Sequence, residues 1–201
     1  MDLNSLGFAM GSAWLSGINL YATVLTLGLL QRFGVAHLPG DLDYLSHTWV
    51  LTAAGILYAV QFVADKIPAV DSAWDMFHTF IRVPAGAVLA AAAFAHFDPA
   101  VRLIALLLGG GIALSSHGSK TATRMAANTS PEPFSNIVLS LIGDAVAFLG
   151  SLLMAFHPVV LIAIALVAVV LSALLFRWIW RFFRRTFSSG RQIRVAGTHP
   201  A

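Results

Sequence analysis

Long runs of apolar residues, free of charged side chains, dominate the pattern of this chain. A helix needs about 20 mostly apolar residues, within a range of roughly 17 to 25, to cross a bilayer. Stretches of that kind lie at Leu3–Gln31, Thr48–Ala64, Leu103–Ser119, Phe134–Phe156 and Val159–Phe176. Inside them, Asp144 is the only residue with a charged side chain. The pattern predicts an all-α protein whose helices pass repeatedly through a membrane.

The region between Asp65 and Asp98 is harder to assign. Its uncharged run, Val83–Phe97, has 15 residues and is too short to span a bilayer by itself. It reaches spanning length only if the helix begins earlier and carries Arg82 into the membrane or its interface. We therefore expect six transmembrane helices, with five helices and a re-entrant hairpin as the alternative. Residues 65–82 are a loop, a hairpin or part of a span.

Composition agrees with a membrane protein. Charged residues make up 10% of the chain and hydrophobic residues 58%, and the mean hydropathy is +0.82. Soluble domains carry about 25% charged residues. Cysteine is absent, which excludes disulfides and cysteine-based metal sites or catalysis. The net charge of +3 does not indicate a nucleic-acid partner, because half of the lysines and arginines follow the last span.

The distribution of basic residues predicts the orientation, since lysine and arginine collect on the cytoplasmic side of membrane proteins. A cytoplasmic C-terminus with six crossings would place the N-terminus in the cytoplasm as well. We expect a transmembrane domain at residues 1–183 and a basic cytoplasmic tail at 184–201. The arginines that follow the last span are Arg177, Arg181, Arg184, Arg185, Arg191 and Arg194.

A weak internal similarity suggests a duplication. Shifting the chain by 100 residues matches five residues of the first span with five at 111–123. With six crossings the two halves, 1–97 and 101–183, would run in opposite directions. That is an inverted three-plus-three repeat, as in many transporters, whose helices are often broken or re-entrant. The matched residues are Gly11, Ala13, Ser16, Ala22 and Thr23 with Gly111, Ala113, Ser116, Ala122 and Thr123.

Polar residues enter the predicted spans as three stripes at helical spacing. Ionisable groups inside a membrane are costly, so they usually face protein or water and often mark function. Asp144 is the most informative, because it lies near the middle of its span. The stripes are Asp71, Asp75, His78 and Arg82; His117, Lys120 and Arg124, with Ser116 and Thr123 beside them; and Asn136, Ser140 and Asp144.

These stripes carry complementary charges and permit two interpretations. Facing inward, they would let Asp144 pair with Arg82 or Arg124, so that the groups only fix the packing of the helices. Alternatively, they line a polar path that binds an ion, a proton or a small polar solute. Helix breakers at Pro84 and Gly109–Gly111 favour broken helices along such a path, although the glycines also suit close helix packing.

Three other interpretations involve the same residues. Asp71, Asp75 and His78 offer ligands for a divalent metal on one helix face, so the presence of a metal is left undecided. Ser119 and Lys120, with Arg124, could hold a phosphate or a lipid headgroup. Enzyme chemistry is not expected, because no nucleophile motif surrounds Ser119, and neither is a cofactor.

Two polar signatures resemble a known family. They are Asp65–Gly86, and the stretch that runs from Ser116 to Arg124 and on through Asn136 to Asp144. Together they are similar to the bacterial integral membrane proteins called domain of unknown function 4126, over roughly residues 5–180. The resemblance implies a bacterial inner-membrane protein, but it supplies no substrate.

The sequence as a whole favours a transporter or channel for a small ion or polar solute. Its partners would be the lipid bilayer, the solute and, in a homo-oligomer, further copies of the chain. The alternatives are a non-transporting scaffold or accessory subunit, and a flippase or enzyme that binds lipid headgroups. The expected pathway residues are Asp71, Asp75, His78, Arg82, His117, Ser119, Lys120, Arg124, Asn136 and Asp144.

Overall fold

A computed structural model describes the backbone of residues 2–127 and 133–195 and most of the side chains in these ranges. Within these ranges the chain is all-helical and contains no strand. A short 3₁₀ segment, Gly40–Ser46, precedes the second of six α-helices. These are α1 (Leu3–Arg32), α2 (Thr48–Ala64), α3 (Pro68–Ala92), α4 (Pro99–Ala127), α5 (Pro133–Phe156) and α6 (Pro158–Val195).

Proline and aspartate set the helix starts. Four helices, α3 to α6, begin at a proline. Proline suits the first turn because its missing N–H would have no partner there and its φ is already helical. α1 begins after Asp2, whose carboxylate accepts from the backbone N–H groups of Asn4 and Ser5. Apolar length and these caps explain why the predicted stretches and the helices nearly coincide.

Residues 65–82 are neither a loop nor a hairpin. α3 begins at Pro68 and continues past Arg82 and through Pro84 as one helix. α4 is likewise continuous through its three glycines. Gly109 lies against Ala90 of α3, where a Cβ atom would overlap it. Neither helix is broken at Pro84 or at Gly109–Gly111, and the alternative of close packing accounts for Gly109.

The break lies in α1, at Asn19. Its φ of −149° and ψ of 96° are extended rather than helical. The Oδ1 atom of Asn19 accepts from the backbone N–H of Ala22 at 3.1 Å, so this side chain caps the second arm of the helix. α1 therefore consists of two helical arms joined at one residue.

The direction of each helix follows from the residues that meet along it. Toward one end of the α3–α4 pair Gly109 packs on Ala90, and toward the other Arg124 lies 3.7 Å from Asp75. α3 and α4 are therefore antiparallel. We call the end of the bundle that holds the α3–α4 connection face A. The opposite end, with the α2–α3 connection and the C-terminus of α4, is face B.

α5 runs from face B to face A. Lys120 of α4 and Asp144 of α5 both reach the break in α1, so they lie at a similar depth. The six steps from Ala127 to Pro133 can bridge at most about 21 Å. Starting α5 on face A would require about 27 Å at the rise of an α-helix. The α5–α6 connection therefore lies at face A, beside the α3–α4 connection.

Both ends of α1 also lie at face A. The backbone of Gly7 packs against Pro158, the first residue of α6. At the other end, the guanidinium of Arg32 donates to Thr48, the first residue of α2, at 3.0 Å. The 3₁₀ segment after α1 packs against the end of α3. α1 thus enters the bundle from face A, reverses at Asn19 and returns.

This fold-back changes the expected number of crossings. By length and apolarity, α1, α4, α5 and α6 each qualify as spans, and the 3₁₀ segment with α2, bent by 70°, would be a fifth. In α1, 67% of the most apolar window is buried, against 22% in α4 and 17% in α6. α1 is a central element surrounded by the others. Five helices, α2 to α6, run between the faces, so the contacts do not reproduce the expected six crossings.

Candidate functional site

Ionisable side chains converge beside the break in α1, on the face B side. We call this group the ion cluster. It joins the end of α2 to the inner faces of α3 and α4, and every member is buried or nearly so. Its members are Asp65, Asp75, Arg82, His117, Lys120 and Arg124.

Asp75 and Arg82 form the central pair. Their spacing of seven residues places both on one face of α3, and Arg82 Nη1 lies 3.1 Å from Asp75 Oδ1. The side chain of Arg82 is 0% exposed and that of Asp75 is 3% exposed. Removing one partner of such a pair leaves a buried charge without compensation, which is far more costly than losing a surface pair.

Two cations of α4 connect the carboxylates of α2 and α3. Lys120 Nζ lies 3.8 Å from both Asp65 Oδ2 and Asp75 Oδ1. Arg124 lies one turn further along α4 and approaches Asp65 Oδ2 to 3.3 Å. Because each carboxylate faces more than one cation, the cluster is a network rather than a set of separate pairs.

His117 extends the network in its neutral form. Its Nδ1 atom lies 3.2 Å from Arg82 Nη1. Because a guanidinium group only donates, Nδ1 is the acceptor of this hydrogen bond. The proton is then on Nε2, which lies 2.8 Å from Thr79 Oγ1 and 3.2 Å from the carbonyl oxygen of Asp75. His117 therefore orients Arg82 without adding charge.

His78 joins α3 to the second arm of α1. Its Nδ1 atom donates to the carbonyl oxygen of Trp74 at 2.8 Å, which leaves Nε2 to accept from the hydroxyl of Tyr21 at 2.9 Å. The ring also stacks on Trp74, with 4.3 Å between the ring centres. Both nitrogens are occupied, so His78 helps to hold the returning arm of α1.

A charged side chain lies beside each of the two helix ends that meet at the break in α1. Lys120 Nζ donates to the carbonyl oxygen of Ile18, at the end of the first arm, at 3.1 Å. Asn19 Nδ2 donates to Asp144 Oδ1 at 2.7 Å, beside the start of the second arm. A cation at a helix C-terminus and an anion at an N-terminus both complement the helix dipole.

Asp144 forms its described hydrogen bond with Asn19 rather than with an arginine. Among the described residues, no contact of ion-pair length joins Asp144 to Arg82 or Arg124, although Arg124 interacts with its charge from further away. The reason is the fold-back, which places an amide from α1 between α5 and the cations of α4. Asp144 is therefore adjacent to the ion cluster without belonging to it.

Ser119 lies apart from the cluster. Its hydroxyl donates to Ser172 of α6 at 2.8 Å. An open cavity of about 320 Å³ separates α4 from α5 and α6 at this point. Apolar side chains such as Ile142 and Leu171 form its walls, and Lys120 and Arg124 lie at its polar edge.

The chain was also compared with known proteins. The family model described as domain of unknown function (DUF4126) matches residues 6–178. The chain belongs to this family. No curated protein and no solved structure matched it. Membership in DUF4126 confirms the resemblance that the polar signatures indicated, and it brings no activity with it.

In this DUF4126 protein, the metal reading finds no support. No group of three or more histidine and carboxylate side chains able to hold a metal lies within the part of the chain that the structure describes. His78 is engaged through both nitrogens, and Asp75 faces three cations. The side chain of Asp71, the third expected ligand, lies outside the described residues.

Most members of the ion cluster could be predicted from the sequence, but two residues that position its parts could not. Asp75, Arg82, His117, Lys120 and Arg124 were predicted and meet in the ion cluster. Asp65 was not predicted as a site residue, although it follows an apolar stretch directly and begins the Asp65–Gly86 signature. Asn19, which breaks its helix, lies in an uncharged stretch and was not predicted as a site residue either.

Proposed function

We propose that this protein is a membrane transporter or channel for a small ion or polar solute. One observation carries the proposal: buried, networked charges surround the tip of a helix that enters the bundle and turns back. Broken helices are used in this way in transporters, where freed backbone groups and helix ends face the substrate. Charges at this depth are expensive, so a bundle without a polar task would gain little from keeping them.

The proposed orientation follows from α6. This helix begins at face A, and its Phe176 contacts Gly118 on the face B side of α4. The arginines after the last span therefore lie toward face B, and the positive-inside rule makes face B cytoplasmic. In this proposal α1 begins on the outer side, so the earlier expectation of two cytoplasmic termini is replaced. The membrane would be the bacterial inner membrane, as the family resemblance implies.

The proposal does not require an inverted repeat. One contact favours the repeat, because Gly86 of α3 borders both Ser16 and Ala113, which belong to the matched segments. Against it, α1 is broken at Asn19, whereas α4 is helical at the corresponding position. We therefore propose a single helical unit with a folded-back first helix, and assembly into oligomers stays a prediction.

Flux through proteoliposomes tests the proposal. The purified chain is reconstituted, and K⁺, Cl⁻ and H⁺ movement is followed with ion-sensitive dyes, and glycerol and urea movement by light scattering. We expect at least one probe to move faster than in protein-free vesicles. We expect Asp144→Asn and Arg82→Lys to slow that probe by about tenfold, which corresponds to about 1.4 kcal/mol in the barrier.

Leu141→Ala is the matched control for these variants, because Leu141 lies on the outer face of α5 and is 48% exposed. It should conduct like the unchanged chain. If none of the five probes crosses faster than through empty vesicles, or if Asp144→Asn and Arg82→Lys conduct as well as the control, the proposal is wrong. Lost stability in Asp144→Asn and Arg82→Lys without any flux would instead support the scaffold.

A second candidate function has one observation in its favour. The cavity between α4, α5 and α6 combines apolar walls with Lys120 and Arg124 at its edge. Long basic side chains near helix ends bind anionic headgroups while the acyl chain follows apolar side chains. Anionic lipid that co-purifies with the chain, and that is lost in Lys120→Gln and retained in Leu141→Ala, would favour a lipid-binding protein or flippase.

A further inference from the structure

Several buried polar atoms on α5 have no hydrogen-bond partner within the described part of the chain. Toward the start of the helix they are both amide atoms of Asn136, the hydroxyl of Ser140 and the Oδ2 atom of Asp144, and a further one, the hydroxyl of Ser151, lies beyond Asp144 toward face A. Asn136 and Ser140 are each only 1% exposed. Spacings of four residues place Asn136, Ser140 and Asp144 on one face of the helix. The stripe begins near face B, where α5 starts, and ends at the tip of α1.

The end of α2 contributes two more atoms of the same kind. Gln61 Oε1 and Asp65 Oδ1 are buried without a hydrogen-bond partner among the described residues. Tyr58, also on α2, interacts electrostatically with both Asp65 and Asp144. The end of α2 and the α5 stripe therefore border the same region beside the tip of α1.

Buried polar groups in proteins are almost always hydrogen-bonded, and where no protein group is in reach the partner is usually an ordered water molecule. A group of orphaned atoms from two helices, spread over about 12 Å of α5, is more than one water molecule can satisfy. The side chains concerned are also polar, whereas cavities that stay dry are apolar. These observations together indicate a row of water molecules.

We propose that water enters from face B along the α5 stripe and carries protons to Asp144. The inference rests on the proposed function and names the coupling ion of that site. Described groups that face or interact with the Asp144 carboxylate are Asn19 of α1, Tyr58 of α2, Asp65 and Lys66 at the end of α2, and Lys120 and Arg124 of α4. Asp144 exchanges its proton with the last water molecule, and its charge then changes beside Lys120 and Asn19.

Beyond Asp144 the path is closed toward face A. On α5, Gly150 packs against Leu15 and Met154 packs against Gly11, both in the first arm of α1. Leu15 and Met154 are 0% exposed. The arrangement is a half-channel, which is open to face B and sealed from face A by the arms of α1 and their neighbours.

Cysteine accessibility tests the proposal, because the chain contains no cysteine of its own. Ser140→Cys and Leu141→Cys lie at the same depth on α5, but Leu141 points outward and is 48% exposed toward lipid. A charged, membrane-impermeant methanethiosulfonate reagent reacts only where water forms the thiolate. We expect Ser140→Cys to react at least about tenfold faster than Leu141→Cys, and only when the reagent is added at face B.

Asn136→Cys provides a second measurement, at a position nearer face B, and it should react faster than Ser140→Cys. Equal rates at positions 140 and 141, no reaction at 136 and 140, or reaction of Ser140→Cys from face A would each overturn the proposal. Asp144→Asn, combined with Ser140→Cys, should leave labelling intact and abolish proton movement followed with a pH-sensitive dye. Proton movement that persists in Asp144→Asn would show that this carboxylate is not its acceptor.

The labelling result and the flux result are independent. Labelling from face B without any solute movement would support the water path and contradict the proposed transport function. Solute movement without labelling would support transport and contradict the water path. Size-exclusion profiles that match the unchanged chain show that each cysteine variant is folded.

Discussion

The two halves of the bundle are built from different residues. Toward face A, α1, α3 and α4 meet through glycine, alanine and serine, and the backbones approach closely around Gly86 and Gly109. Toward face B, the same three helices separate enough to hold Asp75, Arg82 and Lys120. Without a hydrophobic driving force between helices in lipid, close packing and polar contacts are the two ways to associate. This protein uses one in each half.

The boundary between the halves is the break at Asn19. The first arm of α1 ends with Ile18 O on Lys120, and the second begins with Asn19 on Asp144. A continuous helix would have carried apolar residues through the polar half. Reversal at the boundary keeps both arms of α1 in the sealed half and presents only the tip to the charges.

The largest effect is expected in the polar half, from Asp75→Asn. This change removes a carboxylate that faces Arg82, Lys120 and Arg124 and leaves Arg82 buried without its closest anion. Breaking a buried pair from one side costs about 3–5 kcal/mol. Detergent-solubilised protein should therefore unfold at a clearly lower temperature. Asp43→Asn, at an exposed position of the 3₁₀ segment, is the control and should leave the unfolding temperature unchanged.

Restoring neutrality tests whether charge is the cause. The double variant Asp75→Asn with Arg82→Gln should recover part of the loss, because no unpaired guanidinium remains in the core. If Asp75→Asn alone unfolds at the same temperature as Asp43→Asn, the ion cluster does not hold the polar half together.

A smaller effect is expected in the sealed half, from Gly109→Ala compared with Gly111→Ala. A Cβ on Gly109 would overlap Ala90 and press on the carbonyl oxygen of Gly86, whereas Gly111 has open space around it. Overpacking costs about 1–3 kcal/mol. Replacing a helical glycine by alanine without a clash stabilises by up to about 1 kcal/mol.

The two variants should therefore move the unfolding temperature in opposite directions, with Gly109→Ala lower and Gly111→Ala equal or higher. They lie two residues apart on one helix, so both changes are made at nearly the same depth, one at a buried position and the other at an exposed one. A rise for both would mean that the helices do not approach closely at Gly109.

The contrast between the halves also shows what the sequence could and could not predict. The helices followed from apolar length, and the polar face of α3 followed from the spacing of Asp75, His78 and Arg82. The fold-back of α1 did not, because Asn19 lies in an uncharged stretch long enough to span. Nothing local distinguishes an asparagine that caps a new arm from one that bonds across helices. The distinction depends on Asp144, which is 125 residues away in the chain.

The smallest effect is expected at the boundary itself, from Asn19→Ser compared with Asn19→Ala. Serine can still cap the second arm of α1 but cannot donate an amide to Asp144, so the loss is that of one hydrogen bond, about 1 kcal/mol. Alanine loses the cap as well, which adds about 1 kcal/mol. Unfolding temperatures should fall in the order unchanged chain, Asn19→Ser, Asn19→Ala. If Asn19→Ala equals the unchanged chain, the reversal of α1 is held by its neighbours rather than by its own asparagine, and the boundary would have to be sought in the contact between Lys120 and Ile18.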